Sequence, residues 1–173
     1  MSGLLEQLRR HKEDRGMMAD LRCALVASKR HRAWPVLHRL GVAVTNRLAA
    51  TVAALYATHR EGEETQEGNF GATCLAVKRK RREEQSNDSK LTPTERRFLH
   101  LLAAEKGDEL YKRVTGMVLM AKSQGVPVNY GRLETDLRSW GWNDRTKTEW
   151  AASFWTPGAD AALPSTTEEG AEL

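Results

Sequence analysis

Apolar residues recur along this chain at spacings of three and four, the rhythm of helices that bury one face. The clearest start is at Thr92, where Thr92 and Glu95 form a capping box and Pro93 takes the first helical position. From there Phe98, Leu101 and Leu102 share one face. At about 100° per residue Arg96 points about 160° away from Phe98, and Arg97 falls at the boundary. After a stop at Gly107, Asp108 caps a helix to Gln124 that turns Leu110, Val114, Met117, Val118 and Ala121 inward. Lys112, Arg113 and Lys122 stay on its solvent side, and Gly125 ends it as a left-handed cap. Val126-Pro127-Val128 is an extended connector. Asn129 then caps a helix with the stripe Leu133, Leu137 and Trp140. Asn143 or Asp144 caps a last one, carrying Trp150 and Phe154 inward with Trp155 beside them.

The first half has the same design. Residues 1–16 form a charged, amphipathic leader with Leu4, Leu5 and Leu8 on one side and Gly16 as a weak break. The spacing predicts a helix over Met18 to Ser28, with Leu21, Ala24, Leu25 and Ser28 inward. Arg22 and Lys29, seven apart, share its outer face, and Arg30, His31 and Arg32 follow. Trp34-Pro35 reads as a break, because the residue before proline is pushed out of the helical region. Val36, Leu37 and Leu40 form a short apolar turn ending at Gly41. Thr45 to His59 reads as a helix with Leu48, Val52, Leu55, Tyr56 and His59 on its stripe. A polar, acidic loop from Arg60 to Glu67 leads to Gly68-Asn69-Phe70-Gly71, a tight turn that docks one ring into the core. A helix from Ala72 carries Leu75 inward and runs into the pentabasic Lys78-Arg79-Lys80-Arg81-Arg82.

These elements predict an all-α protein of two small helical bundles packed together, with no sheet. The Ser/Asn/Asp-rich linker Glu83 to Lys90 is the natural cut. It gives an N-terminal bundle over 1–88, a C-terminal bundle over 89–156, and an acidic tail over 157–173 expected to be disordered.

Charge narrows the function. The 173 residues carry 27 Lys and Arg against 23 Asp and Glu, a net +4. The segment from Pro157 onward holds four of the acids (Asp160, Glu168, Glu169, Glu172) and no base, which leaves 19 acids against 27 bases, +8, on residues 1–156. A basic body makes a polyanion the first partner to consider, against the plain alternative of a solvated surface. The candidate contacts are Arg22, Lys29, Arg30, Arg32, Arg79, Arg81, Arg82, Arg96, Arg97, Lys112, Arg113 and Lys122.

Other chemistry is missing from the sequence. Cys23 and Cys74 stand apart with no Cys-x-x-Cys pair, which suits buried thiols in a reducing compartment. The five histidines make no metal-binding pair, and no nucleophile elbow, Walker loop or dinucleotide fingerprint occurs. No cofactor, metal, small-molecule substrate or catalytic activity is expected. No apolar run approaches the about 20 residues that span a bilayer, and nothing resembles a secretory signal. A cytoplasmic protein without a membrane partner is expected. A duplex-reading regulator is disfavoured, since no compact helix-turn-helix with polar recognition residues appears.

Five fragments in order carry a resemblance: Gly-Asn-Phe-Gly (68–71), Glu-Arg-Arg-Phe (95–98), Gly-Val-Pro-Val-Asn-Tyr (125–130), Asp-Leu-x-x-Trp (136–140) and Trp-Ala-x-x-Phe-Trp (150–155). Together with Ala-Leu-Tyr-Ala-Thr-His (54–59), they resemble the CasB family, small subunits of the type I-E CRISPR surveillance complex, Cascade. The resemblance runs from about Leu21 to Trp155. It implies a non-catalytic, two-bundle, all-α subunit, present as a pair of copies beside the backbone and large subunits. It further implies a role in holding the displaced non-target DNA strand of the R-loop, and carries over Arg22, Arg96 and Arg97 as basic contacts. A purely structural scaffold, with its basic surface against protein partners or guide RNA, is the alternative. In one place the chain departs from the pattern. Family members often place an Arg-Arg pair in the next helix, where Thr115-Gly116 stand here, with Lys112, Arg113 and Lys122 as possible substitutes.

Overall fold

The computed structural model describes residues 3–59, 64–83 and 90–157. Nine α-helices lie among them: α1 (Gly3–Arg10), α2 (Arg15–Arg22), α3 (Trp34–Arg39), α4 (Arg47–Thr58), α5 (Phe70–Lys80), α6 (Pro93–Ala103), α7 (Asp108–Ser123), α8 (Tyr130–Ser139) and α9 (Arg145–Phe154). Among the described residues there is no strand, only isolated bridges pairing Glu64 with Val128 and Trp140 with Asn143. The all-α expectation holds.

Side-chain caps start most of these helices. Asn46, Asn69 and Asn129 accept the amides of Ala49, Ala72 and Arg132, each at 3.1 Å. Each satisfies one of the amides that a helix start leaves without a partner. The Thr92–Glu95 capping box forms as predicted, with Thr92 N donating to Glu95 at 2.8 Å.

The same asparagines join elements. Asn69 donates to the Glu149 carbonyl at 3.2 Å and to the Ser153 hydroxyl at 2.9 Å, both on α9. Asn129 donates to the Gly68 carbonyl at 2.9 Å, tying the start of α8 to the turn before α5. Gly71 explains itself here, since a Cβ on it would fall on the backbone carbonyl of Trp150. Only glycine lets α5 lie this close to α9. Phe70 beside it packs at a tilt on Trp150, with ring centroids 5.2 Å apart, so the tight turn does deliver one ring into the core.

The first half differs from its pattern in several places. The predicted Met18–Ser28 helix is α2 followed by two 3-10 turns, Cys23–Leu25 and Ala27–Ala33. Gly16 lies inside α2, because Asp14 caps that helix one residue earlier by accepting the Met17 amide at 3.0 Å. The β-branched Val26 is extended, which ends the regular helix. Leu25 is therefore only half-buried and Ser28 is exposed, while Ala24 and Ala33 face the core. Trp34-Pro35 opens α3 rather than breaking the chain, because proline is tolerated in a first turn. The pentabasic run closes α5 as expected, with Lys78, Arg79 and Lys80 in its last turn and Arg81 and Arg82 beyond it, but its first member, Lys78, is buried.

Buried apolar side chains from Leu4 to Phe154 form one cluster, and α5 packs on α6 and α7 as well as on α9. The predicted boundary at 88 and 89 lies in residues 84–89, outside the described ones, as does the tail beyond Pro157.

Candidate nucleic-acid interface

Helix α7 positions the basic residues that come together. A cleft of about 310 Å³ opens on one side of it, lined by Arg30, Arg47, Thr51, Asp108, Tyr111, Lys112 and Thr115 among others. Arg30 reaches it from the 3-10 turn, where its Nε donates to the Ala24 carbonyl at 3.4 Å. Arg47 comes from the first turn of α4 and meets Asp108 at 3.0 Å. Burial pushes the Tyr111 phenol above its ordinary value of 10, Asp108 adds to the rise and Arg47 opposes it, so its hydroxyl is neutral.

A second cleft, of about 360 Å³, is lined by Arg97, Lys112, Arg113, Gly116, Met117 and Met120. Lys112 belongs to both clefts. Thr115 and Gly116 line one cleft each. Beyond them, Arg97 from α6 donates to the Met120 sulfur at 2.8 Å, and Arg81 from the end of α5 lies 4.0 Å from the same atom. A soft, weakly accepting sulfur gathers two guanidiniums without neutralising either. The cationic row thus runs Arg30, Arg47, Lys112, Arg113, Arg97, Arg81, from the 3-10 turn across α4, α7 and α6 to the end of α5.

The remaining candidates fall elsewhere. Arg22 is half-buried and donates to the Ala57 carbonyl at 3.4 Å, which pins α2 to the end of α4. Arg32 stands 3.8 Å from Asp20. Lys29, Arg79, Arg82, Arg96 and Lys122 are exposed, on the 3-10 turn, at the end of α5, on α6 and in the last turn of α7. Arg81 itself also pairs with Glu83 at 3.2 Å. Acids therefore meet the row at both ends, Asp108 on Arg47 inside the first cleft and Glu83 on Arg81, while Asp20 stands apart from it.

Sequence reasoning missed Arg47. Its signal was electrostatic: an arginine in the first turn of a helix opposes the helix dipole, and no acid stands in that turn to compensate. Such a residue has to find its partner elsewhere in the fold, here Asp108. Among the described residues no group of His, Cys, Asp and Glu could hold a metal ion, and no helix is long and apolar enough to cross a membrane.

A helical protein with a cationic row across one long helix belongs to a class defined by its surface charge. The chain belongs to the CRISPR-associated protein Cse2 family, whose family model matches residues 6–155. As a member it is a small subunit of CRISPR Cascade, a structural component that acts with other subunits. Its fold is similar to the crystal structure of M. ruber CasB, with a TM-score of 0.60 at 22% identity, covering 84% of this chain and 87% of that one. No curated protein matches the chain.

Proposed function

We propose that this subunit holds an unpaired nucleic-acid strand along the cationic row over α7, and that in Cascade the strand is the displaced non-target DNA of the R-loop. The observation that carries the reading is the sharing of Lys112 between two clefts whose walls supply Arg30, Arg47, Arg113 and Arg97. Holding a displaced strand calls for affinity without base reading, hence phosphate contacts from Arg and Lys on fixed elements. Opening an R-loop is close to energetic balance, so a few such contacts bias it toward the open state. Glycine and threonine at 116 and 115 leave space between the walls for the strand. The subunit works without catalysis, in the cytoplasm, beside the backbone and large subunits and a second copy of itself.

A scaffold role accompanies this one at other positions. Arg22 on the Ala57 carbonyl and Arg32 near Asp20 serve the chain's own packing. Their exposed neighbours are suited to acidic protein surfaces or guide RNA.

The test is mobility shift with a single-stranded oligonucleotide at rising salt. Binding is expected at low salt, without sequence preference. Replacing Arg97, Lys112 and Arg113 by Ala should reduce the slope of log affinity against log salt by about 2, from about 0.7 per lost single-strand phosphate contact. Absence of binding at low salt would leave the scaffold role alone.

A further inference from the structure

Trp142 is 82% exposed, the most exposed large apolar side chain among the described residues. It does not project from a loose loop. Its own amide donates to the Ser139 carbonyl at 3.2 Å, and Trp140 two residues earlier is buried, its indole N–H donating to the Ala104 carbonyl at 3.0 Å. Trp140 also packs on Trp150 at 5.0 Å. Gly141 between the two tryptophans has φ +89°, a left-handed conformation that turns the chain sharply enough to send the second indole outward. The turn is clamped from the other side by Lys106, whose ammonium donates to the Arg138 carbonyl at 2.7 Å.

Charged residues flank the turn. Lys106, Arg138 and Arg145 are exposed neighbours in the turn or its flanks, and Lys147 lies over the Trp140 ring at 5.3 Å. Arg138 pairs with Glu134 and Arg145 with Glu149, while Asp144 is an exposed acid in the same turn. The residues on either side of Trp142 in the chain, Gly141 and Asn143, add no apolar side chain to the indole. A single flat ring among cations fits another flat ring joined to a phosphate.

Its position agrees. The turn packs on the connection between α6 and α7, through the Lys106 ammonium on the Arg138 carbonyl, and a Cβ added at Gly141 would lie 4.0 Å from the Lys106 Cβ. Two residues further, within about 7 Å for an extended chain, Asp108 lines the first cleft. We infer that Trp142 is a stacking platform for one unpaired nucleobase, continuing the strand path beyond the α7 end of the cleft. The inference rests on the strand-holding reading, and adds to a row of phosphate contacts a contact that needs a base.

The test compares a 20-mer of thymidine with a 20-mer of the same length made of abasic residues, which keep the phosphates and lack the rings. The full chain should bind the thymidine strand about five- to 150-fold more tightly, the span that stacking one base covers. Trp142→Ala should lose that preference while still binding both strands, and Trp142→Phe should keep part of it. An unchanged preference in Trp142→Ala would overturn the platform and leave strand-holding intact. Failure of the unaltered chain to bind either strand would overturn both. Normal strand binding by Trp142→Ala together with loss of assembly into the complex would make Trp142 a protein anchor, and would overturn the platform too.

Discussion

The Lys78 ammonium lies 3.1 Å from the Glu95 carboxylate, with the two side chains only 8% and 1% exposed. Glu95 also accepts the Thr92 amide, so the carboxylate that starts α6 is the counterion that lets a lysine of the basic run enter the core. Removing one member of a buried pair leaves the other charge in a poor environment, whereas losing both at once costs far less. Glu95→Ala should lower stability by on the order of 3 kcal/mol, and Lys78→Met/Glu95→Gln should recover much of it. Urea unfolding reads both, and a loss under about 1 kcal/mol for Glu95→Ala, the scale of an exposed pair, would refute the coupling.

Glu83 gives a dependence on pH. Burial alone would raise its carboxyl, but hydrogen bonds from Thr94 and Thr92 and the nearby Arg81 outweigh it and hold it below the ordinary 4.5. Thr94 donates from its amide at 3.0 Å and its hydroxyl at 2.7 Å. A carboxyl with a depressed folded-state pKa contributes stability that is full above the ordinary value and is lost as pH falls through the folded one. Glu83→Gln should therefore destabilise the protein at pH 7 by about 1–3 kcal/mol. Its unfolding midpoint should also fall less steeply than that of the unaltered chain as pH drops below about 4.5. Parallel curves for the two proteins would count against the mechanism.

Glu83 and Lys78 also mark where the sequence misleads. By composition Glu83 opens a polar linker and Lys78 opens a solvated basic run, yet Glu83 accepts the Thr94 amide in the first turn of α6 and Lys78 is the buried partner of Glu95. Both depend on α5 and α6 meeting across residues 84–89, a relationship that local periodicity does not contain. What periodicity does contain was legible: the caps at Thr92 and Asn129, the stripes of α4, α7 and α8, and the turn that carries Phe70. The basic row was half legible. Arg30, Arg81, Arg97, Lys112 and Arg113 were named as candidate contacts, but their meeting around α7 was not foreseen, nor was the diversion of Arg22 and Arg32 into the chain's own packing. The predicted core stripe of α8 ends at Trp140, and a tryptophan two residues on, about 200° around a helix, could not have shared its face. That spacing was the available sign that Trp142 points outward.

Gly71 is a further test of the packing. A methyl group there meets the Trp150 backbone, which cannot rotate away as a side chain could. Gly71→Ala should cost about 1–3 kcal/mol as α5 and α9 are forced apart, despite alanine's better helix propensity. Thermal unfolding reads the loss. Gly116→Ala on α7, where a Cβ meets nothing within 4 Å, is the control and should stabilise instead. A Gly71→Ala protein as stable as its parent would mean that the close approach has slack.

Gly116 also allows the strand path to be strengthened. It sits in the interior of α7, on the second cleft between Arg97 and Arg113, with open space around the missing side chain. An arginine there replaces a poor helix former with a good one, worth about 0.5–1 kcal/mol of helix stability. It also places a guanidinium on the wall of the path, as the family pattern leads one to expect. If the strand lies in this cleft, Gly116→Arg should tighten binding of a thymidine 20-mer at low salt and steepen its salt dependence by about 0.7, one more single-strand phosphate contact. Gly116→Glu should act oppositely, weakening binding without unfolding the helix. Affinity that rises with Arg while the slope stays fixed would mean that the new cation acts at a distance and that the strand runs elsewhere. Equal binding by the Arg and Glu variants would remove the second cleft from the path altogether.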